Sequence, residues 1–206
     1  MWSSSGWKRL PSRPVLTDLD GTVVDTAPAI FESLHVTCAD MGIHIERDLD
    51  LSFCLGPPLH WCLQRLGVPK DVMPDAIVAF ERAHTERLHL CSPMPGAHEV
   101  LEEVHRMRIP IGIVTIKPQG IADLVLAAAG VHSFVSVVLG RTDDLDPRTK
   151  ADLLREALDH PELQGPDPLY LGDHDNDEVA ANDLDVPFLR YPDHSWAEIR
   201  EAIFSR

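Results

Sequence analysis

Five short, almost wholly apolar runs separated by helix-length segments constrain this chain more than any other feature. The runs are Val15-Leu16-Thr17, Ile111-Gly112-Ile113-Val114-Thr115, Val135-Ser136-Val137-Val138-Leu139, Leu169-Tyr170-Leu171 and Pro187-Phe188-Leu189. Short runs that do not alternate with polar residues suit strands covered on both faces, as in a parallel sheet. Segments 96–107, 120–129, 150–158, 178–183 and 196–204 read as the helices between and after them. Repeated strand–helix units of this size imply an α/β fold with a doubly wound, Rossmann-like parallel sheet. The interval 26–92 breaks the rhythm. It carries a helical pattern over 28–41, with Ile30, Phe31, Leu34, Cys38 and Met41 near 3.6-residue spacing. Shorter helices follow, broken at Gly56-Pro57-Pro58, at Gly67-Val68-Pro69 and near Pro74. With no convincing strand from 52 to 91, the interval reads as an all-helical cap inserted after the first strand. The expected organisation is a polar tail over 1–13, a core over 14–25 and 93–206, and the cap over 26–92. Open α/β sheets bind ligands beyond the carboxyl ends of their strands, and the cap is expected there.

Parallel strands end on one rim, so polar residues at the ends of distant runs converge. Asp18 and Asp20 follow the first run, Thr115 and Lys117 the second, and Asp173 and Asp177 the fourth, while Lys150 opens the helix after the third. Several carboxylates at one rim suit Mg²⁺, a hard cation that takes oxygen ligands and keeps part of its water. A lysine and a hydroxyl beside them suit a bound phosphate. The mixture points to phosphoryl transfer, in which positioning and charge stabilisation dominate. Overall charge sharpens the point. With 33 acidic and 18 basic residues the net charge is −15, a surface that repels nucleic acid polymers and anionic membranes. A small anion is drawn to such a chain only where a metal and a few isolated cations reverse the local field.

These residues resemble the haloacid dehalogenase superfamily, over nearly the whole chain beyond the tail. The first motif stands as Asp18-Leu19-Asp20-Gly21-Thr22, extended by Val23-Val24-Asp25-Thr26. The second is Thr115 with Lys117-Pro118, the third is Lys150, and the fourth is Gly172-Asp173-His174-Asp175-Asn176-Asp177. The resemblance implies that Asp18 attacks phosphorus and becomes an aspartyl-phosphate, with Asp20 as the acid and then the base. It implies Mg²⁺ held by the Asp18 side chain, the Asp20 backbone carbonyl and Asp173, with Asp177 bound directly or one layer out. It also implies Thr115 on the phosphoryl oxygens, and Lys150 offsetting charge on nucleophile and phosphate. Lys117 is either a further substrate contact or a structural contact of its loop. Asp20 argues against dehalogenation of haloalkanoates, whose enzymes lack an aspartate acid at that place. In the cap, Asp25-Thr26-Ala27-Pro28-Ala29-Ile30 and Leu55-Gly56-Pro57-Pro58-Leu59 resemble the phosphoglycolate-phosphatase-like group. The Gly-Pro-Pro-Leu turn and Gly140 resemble members described as 5′-nucleotidases. The expected activity is hydrolysis of a small phosphate monoester, with phosphoglycolate-like or nucleoside-monophosphate-like substrates. The alternatives are a phosphomutase of the β-phosphoglucomutase type and a non-catalytic protein that binds a phospho-ligand.

Other residues carry more open readings. Asp25 is read as a support behind the metal ligands, with the cap of the following helix as its alternative. His174 either touches substrate or points outward from its loop, and Asp175 turns the loop or is solvated. Arg65, Arg82, Arg87 and His60 lie in the cap, where nothing in the sequence selects among them. Cys38, Cys54, Cys62 and Cys91 form no C-x-x-C pair, which suits free thiols in a reducing compartment. With no apolar leader and no spanning run, the expected location is cytoplasmic. No feature sets an oligomeric state.

Overall fold

The chain is described by a computed structural model over residues 13–143 and 146–205, so the expected tail, apart from Arg13, lies outside the described residues. In chain order the elements are β1 (Val15–Thr17), β2 (Val24–Asp25), α1 (Ala27–Asp40), α2 (Leu59–Arg65), α3 (Met73–Glu86), β3 (Ser92–Pro93), α4 (Ala97–Arg106), β4 (Ile111–Pro118), α5 (Gln119–Ala128), β5 (Val137–Arg141), α6 (Lys150–Asp159), β6 (Leu169–Gly172), α7 (Asp175–Asp183), β7 (Phe188–Arg190) and α8 (Trp196–Phe204). Strand β1 is central. Val15, Leu16 and Thr17 pair with Ile111, Gly112 and Ile113 of β4 on one side and with Leu169, Tyr170 and Leu171 of β6 on the other. The sheet order is β5-β4-β1-β6-β7, and every pairing in it is parallel. The chain winds outward from β1 to β5, then returns to β6 and β7 on the other side. That reversal leaves a crevice at the carboxyl end of β1.

Successive residues of each strand serve opposite faces. Val15, Ile113 and Leu171 pack with Leu101 of α4, Leu126 of α5 and Trp196 of α8. Leu16, Val114 and Tyr170 pack on the other face with Leu153 and Leu154 of α6 and Ala181 of α7. Burial on both sides is why these strands read as apolar runs without alternation. Trp196 also donates its indole N–H to Thr22 O at 3.0 Å. That bond ties α8 to the loop following β1, where the first motif lies.

Helices α1 to α3 form a unit with its own apolar cluster, which includes Leu34, Cys38, Leu63 and Phe80. Both passages between this unit and the sheet run through a small antiparallel ribbon, β2 with β3, in which Val24 pairs with Pro93 and Asp25 with Ser92. Two-residue strands show no periodicity, so the sequence pattern did not announce them. Two further differences have local causes. Helix α7 begins at Asp175, not near 178, because His174 caps it: the His174 ring accepts from Asn176 N–H, and the Asp177 carboxylate accepts from His174 N–H. Strand β4 continues past Thr115 to Pro118, with a shift of register against β5 between Val114 and Pro118. Among the described residues, no helix is long and apolar enough to cross a membrane.

Candidate active site

Two glycines allow the rim loops to close on one another. Gly21 has φ +77°, a conformation that side chains rarely adopt, and a Cβ there would overlap the Asp173 carboxylate. A Cβ at Gly172 would overlap the Asp177 side chain. Both motif loops therefore approach the carboxylates more closely than any other residue would permit.

Asp18 follows β1 directly, and its N–H donates to Leu171 O at 2.8 Å. The neighbouring strand thus fixes its backbone. Lys150 owes its place to the start of α6, where Thr149 and Asp152 form a reciprocal capping box. From the first turn of that helix its Nζ donates to Asp18 Oδ1 at 2.5 Å and to Val114 O at 3.2 Å. It also pairs with Asp177 Oδ1 at 3.0 Å. Asp177 is fully buried. Its Oδ1 accepts from Tyr170 Oη at 2.7 Å, and its Oδ2 accepts from His174 N–H at 3.1 Å. Asp173 Oδ1 accepts from Thr22 Oγ1 at 3.2 Å. Asp18, Asp173 and Asp177 can each offer a carboxylate oxygen with all three within 4.8 Å of one another. The oxygens of Asp177 are the most heavily committed of the set, which suits a supporting position behind Asp18 and Asp173.

The Asp20 carboxylate stands outside this triad. Its Oδ1 accepts from Thr26 Oγ1 at 2.6 Å and lies 3.2 Å from Lys117 Nζ. Thr115 is buried at the rim end of β4, and its hydroxyl accepts from Lys117 N–H at 3.2 Å. That leaves the Thr115 hydroxyl proton free to donate. Asp175 is drawn outward by Arg190, whose Nη2 donates to it at 2.9 Å. Asp25 Oδ1 accepts from Ala27 N–H at 3.2 Å, a local bond at the start of α1 that matches its alternative reading. His174 serves α7 in the same way, and its ring stands against the cap turn, where a Cβ at Gly56 would lie 2.7 Å from it.

Three carboxylates with one lysine leave the rim short of positive charge. Burial, only partly offset by Lys150 and reinforced by Asp177, Asp173 and Asp20, raises Asp18 to about 8. Burial and then Asp177 raise Asp173 as well. Burial opposes the charge on Lys150, but Asp18 and Asp177 outweigh it and hold the amine above the usual lysine range. An oxygen-lined site that resists its own ionisation is one that a hard divalent cation fits. The sign of the pH effect follows. A folded-state pKa raised from 3.8 to about 8 means that the native state holds this proton more tightly than the unfolded chain. Metal-free stability should therefore fall as pH rises from about 4 to about 8. A cation that replaces the proton removes that loss, so Mg²⁺ should raise the melting temperature more at pH 8 than at pH 5. Equal increments at the two pH values would place Mg²⁺ elsewhere.

A cavity of about 390 Å³ opens between this rim and the helical unit. Asp18, Asp20, Thr115, Lys117, Lys150, Asp173 and Asp177 all border it, as does the cap turn at Gly56, Pro57 and Pro58. Arg65, Arg82, Arg87 and His60 do not. Arg65 instead stacks on Phe53 and Trp61, and Arg82 pairs with Asp40.

The sequence pattern assigned no role to four residues here. Thr22 and Thr26 steady Asp173 and Asp20, and their position just after the first acidic pair was the available signal. Tyr170 was visible as a hydroxyl inside an apolar strand, which must find a partner when buried. His84, buried on α3 and bordering the cavity, had no such signal.

Residues 15–191 match the family model described as haloacid dehalogenase-like hydrolase. The tyrosine-protein kinase PtkA of Mycobacterium tuberculosis is 26% identical over 175 residues, covering 84% of this chain and 60% of that protein. The chain thus spans about three fifths of the length of that relative. A phosphoglycolate phosphatase of Cupriavidus necator is 27% identical over 190 residues, covering 88% of this chain and 82% of the relative. The solved structure of the Mycobacterium tuberculosis PtkA superposes with a TM-score of 0.78 at 22% identity, covering 94% of this chain and 99% of that one. At that identity the likeness is one of fold.

Proposed function

This chain belongs to the haloacid dehalogenase-like hydrolase family, and from that membership we propose that it is a Mg²⁺-dependent phosphomonoesterase with Asp18 as its nucleophile. One observation carries the reading. Asp18 sits buried at the crevice, 2.5 Å from Lys150 and clustered with Asp173 and Asp177, while a second carboxylate, Asp20, is held apart on the cavity side by Thr26 and Lys117. A nucleophile and a separate acid are what two-step ester hydrolysis requires.

In the first step an Asp18 oxygen forms a bond to phosphorus as the bond to the leaving oxygen breaks, and Asp20 gives that oxygen its proton. In the second step Asp20 takes a proton from water. The water oxygen bonds to phosphorus, the Asp18–phosphorus bond breaks, and inorganic phosphate departs. Lys150 holds the Asp18 carboxylate in one orientation and offsets its charge. The Thr115 hydroxyl is free to donate to a phosphoryl oxygen, because its acceptor side is already taken by Lys117 N–H. Lys117 and Thr26 fix the Asp20 carboxylate where the leaving group must lie. Asp18 and Asp173, with Asp177 behind them, would hold Mg²⁺, which supplies positive charge to the phosphoryl oxygens and keeps the crowded carboxylates ionised.

Relatives named phosphoglycolate phosphatase and pyrophosphatase PpaX support a small phosphate compound as substrate. The buried, unbridged cysteines fit a reducing compartment, in keeping with a cytoplasmic enzyme. The test is phosphate release from a panel of acid, sugar and nucleoside monophosphates. Release should require Mg²⁺, stop on chelation and return with added metal. An isomerised ester in place of free phosphate would favour a mutase. Phosphate moved to a protein tyrosine would favour the activity named for the mycobacterial relatives.

A further inference from the structure

The chemistry above leaves the leaving group undefined, and the cavity that must receive it has a particular character. Its walls include Ile30, Leu34, Phe80, Ile116 and Ile121. Among the described lining residues the ammonium groups are those of Lys117 and Lys150, and no arginine lines it. Each lysine already has a carboxylate partner, Asp20 at 3.2 Å and Asp18 at 2.5 Å. Asp25 and Glu81 add further acidic groups to the lining. A substrate with a carboxylate on its leaving group would bring that charge into an apolar, acid-bordered space in which Lys117, held beside Asp20, is the one described lining ammonium outside the Lys150–Asp18 pair.

His84 supplies the second observation. It lies on α3 at 1% exposure, borders the cavity, and has no hydrogen-bond partner at Nδ1 or Nε2. Its ring stacks on Phe80 with centroids 5.5 Å apart. The Ala29 carbonyl lies close enough to favour the charged imidazole, but it accepts from Ser33 Oγ at 2.5 Å and makes no bond of good geometry to either ring nitrogen. Burial, then the charge of Lys117, lowers this imidazole to about 4, so at neutral pH it offers one donor and one acceptor and no charge. A buried, unpaired imidazole is costly, and a ligand that pairs with it removes the cost.

We propose that the cavity takes a phosphate monoester whose leaving group is an uncharged, largely apolar alcohol, and that His84 hydrogen-bonds a neutral polar group on it. The assignment rests on the phosphatase reading of Asp18. It separates the two substrate classes left open by the sequence: a nucleoside is an uncharged leaving group, whereas glycolate is an anion.

The test uses ligands that cannot be hydrolysed. The full chain with Mg²⁺ is titrated calorimetrically with phenylphosphonate, its 3-hydroxy and 4-hydroxy derivatives, and 4-carboxyphenylphosphonate. Phenylphosphonate should bind at least about tenfold more tightly than the carboxylated ligand. The better hydroxy isomer should gain a further factor of about two to ten from one hydrogen bond. That gain should vanish in His84→Phe, which keeps the stacked ring, and return in part in His84→Gln. Equal or tighter binding of the carboxylated ligand overturns the proposal. So does an equal loss for all four ligands in His84→Phe, which marks a structural role, or no binding of any of them to wild type. If His84→Phe does not fold, the wild-type ranking and His84→Gln decide. Phosphate-release assays on the same preparation keep the two claims separate. The expected ranking without turnover would sink the phosphatase reading alone, and turnover with a preference for the carboxylated ligand would sink this one alone.

Discussion

Asp18→Asn should reduce phosphate release to background, a loss of at least about 10⁴-fold, by analogy with removal of other enzymatic nucleophiles. The amide keeps the shape of the side chain but lacks the negative oxygen that the proposed attack on phosphorus requires. Loss of activity alone could come from a damaged fold, and melting separates the two causes. Burial and the neighbouring Asp177 and Asp173 make an ionised Asp18 unfavourable without metal. The neutral variant should therefore melt no lower than wild type at pH 8 in the absence of Mg²⁺. It should also gain less from added Mg²⁺, because one of three clustered oxygen donors has become a weaker one. An Asn variant that still releases phosphate at a tenth of the wild-type rate would remove Asp18 from the role of nucleophile.

Lys150→Met carries the second large effect, and it falls on stability as well as rate. The methionine fills much of the space of the lysine stem and removes only the charge and its three donors. Asp18 and Asp177, both buried, then lose the ammonium that lies 2.5 and 3.0 Å from them. Breaking a buried pair in this way costs about 3–5 kcal/mol. The loss should be greatest at high pH without metal, where the carboxylates must ionise unpaired. It should shrink as the pH falls and Asp18 takes a proton, at a higher pH than the wild type's value of about 8 because the lowering by Lys150 is gone. Mg²⁺ should recover part of it. Phosphate release should stay depressed even with saturating Mg²⁺, because no cation then orients the nucleophile from the α6 side. Denaturant unfolding of wild type and variant at pH 8 and pH 5, each with and without Mg²⁺, measures all four terms. Equal stabilities at pH 8 without metal would show that Lys150 does not neutralise this site.

The sheet was legible because its strands are buried on both faces, so Val15-Leu16 and Leu169-Tyr170-Leu171 could hold little that was polar. The rim was legible because parallel strands bring Asp18, Thr115 and Asp173 to one edge whatever their separation along the chain. What the pattern could not carry was direction. Asp20 and Asp18 are two residues apart, yet one carboxylate joins Asp173 and Asp177 while the other faces Thr26 and Lys117. Asp25 carried two readings, a support behind the metal ligands and a cap of the following helix, and its Oδ1 bond to Ala27 N–H lies at the start of α1. The same limit hid His84. A lone histidine on a helix carries no spacing signal, and only burial beside Phe80, with nothing to bond, singles it out.

The β2–β3 ribbon sets how such a chain can diversify. Both passages to the helical unit run side by side through it, two residues from each, so that unit leaves and re-enters the sheet at neighbouring points. The entropy of closing a segment on itself grows only with the logarithm of its length. Helices there can be lengthened, trimmed or exchanged with little penalty and without shifting the register of β1 against β4 and β6. Changes in the residues that the helical unit lends to the cavity are thereby insulated from changes at the rim of the sheet. Over many generations, one inherited cleavage apparatus can serve a changing diet of compounds.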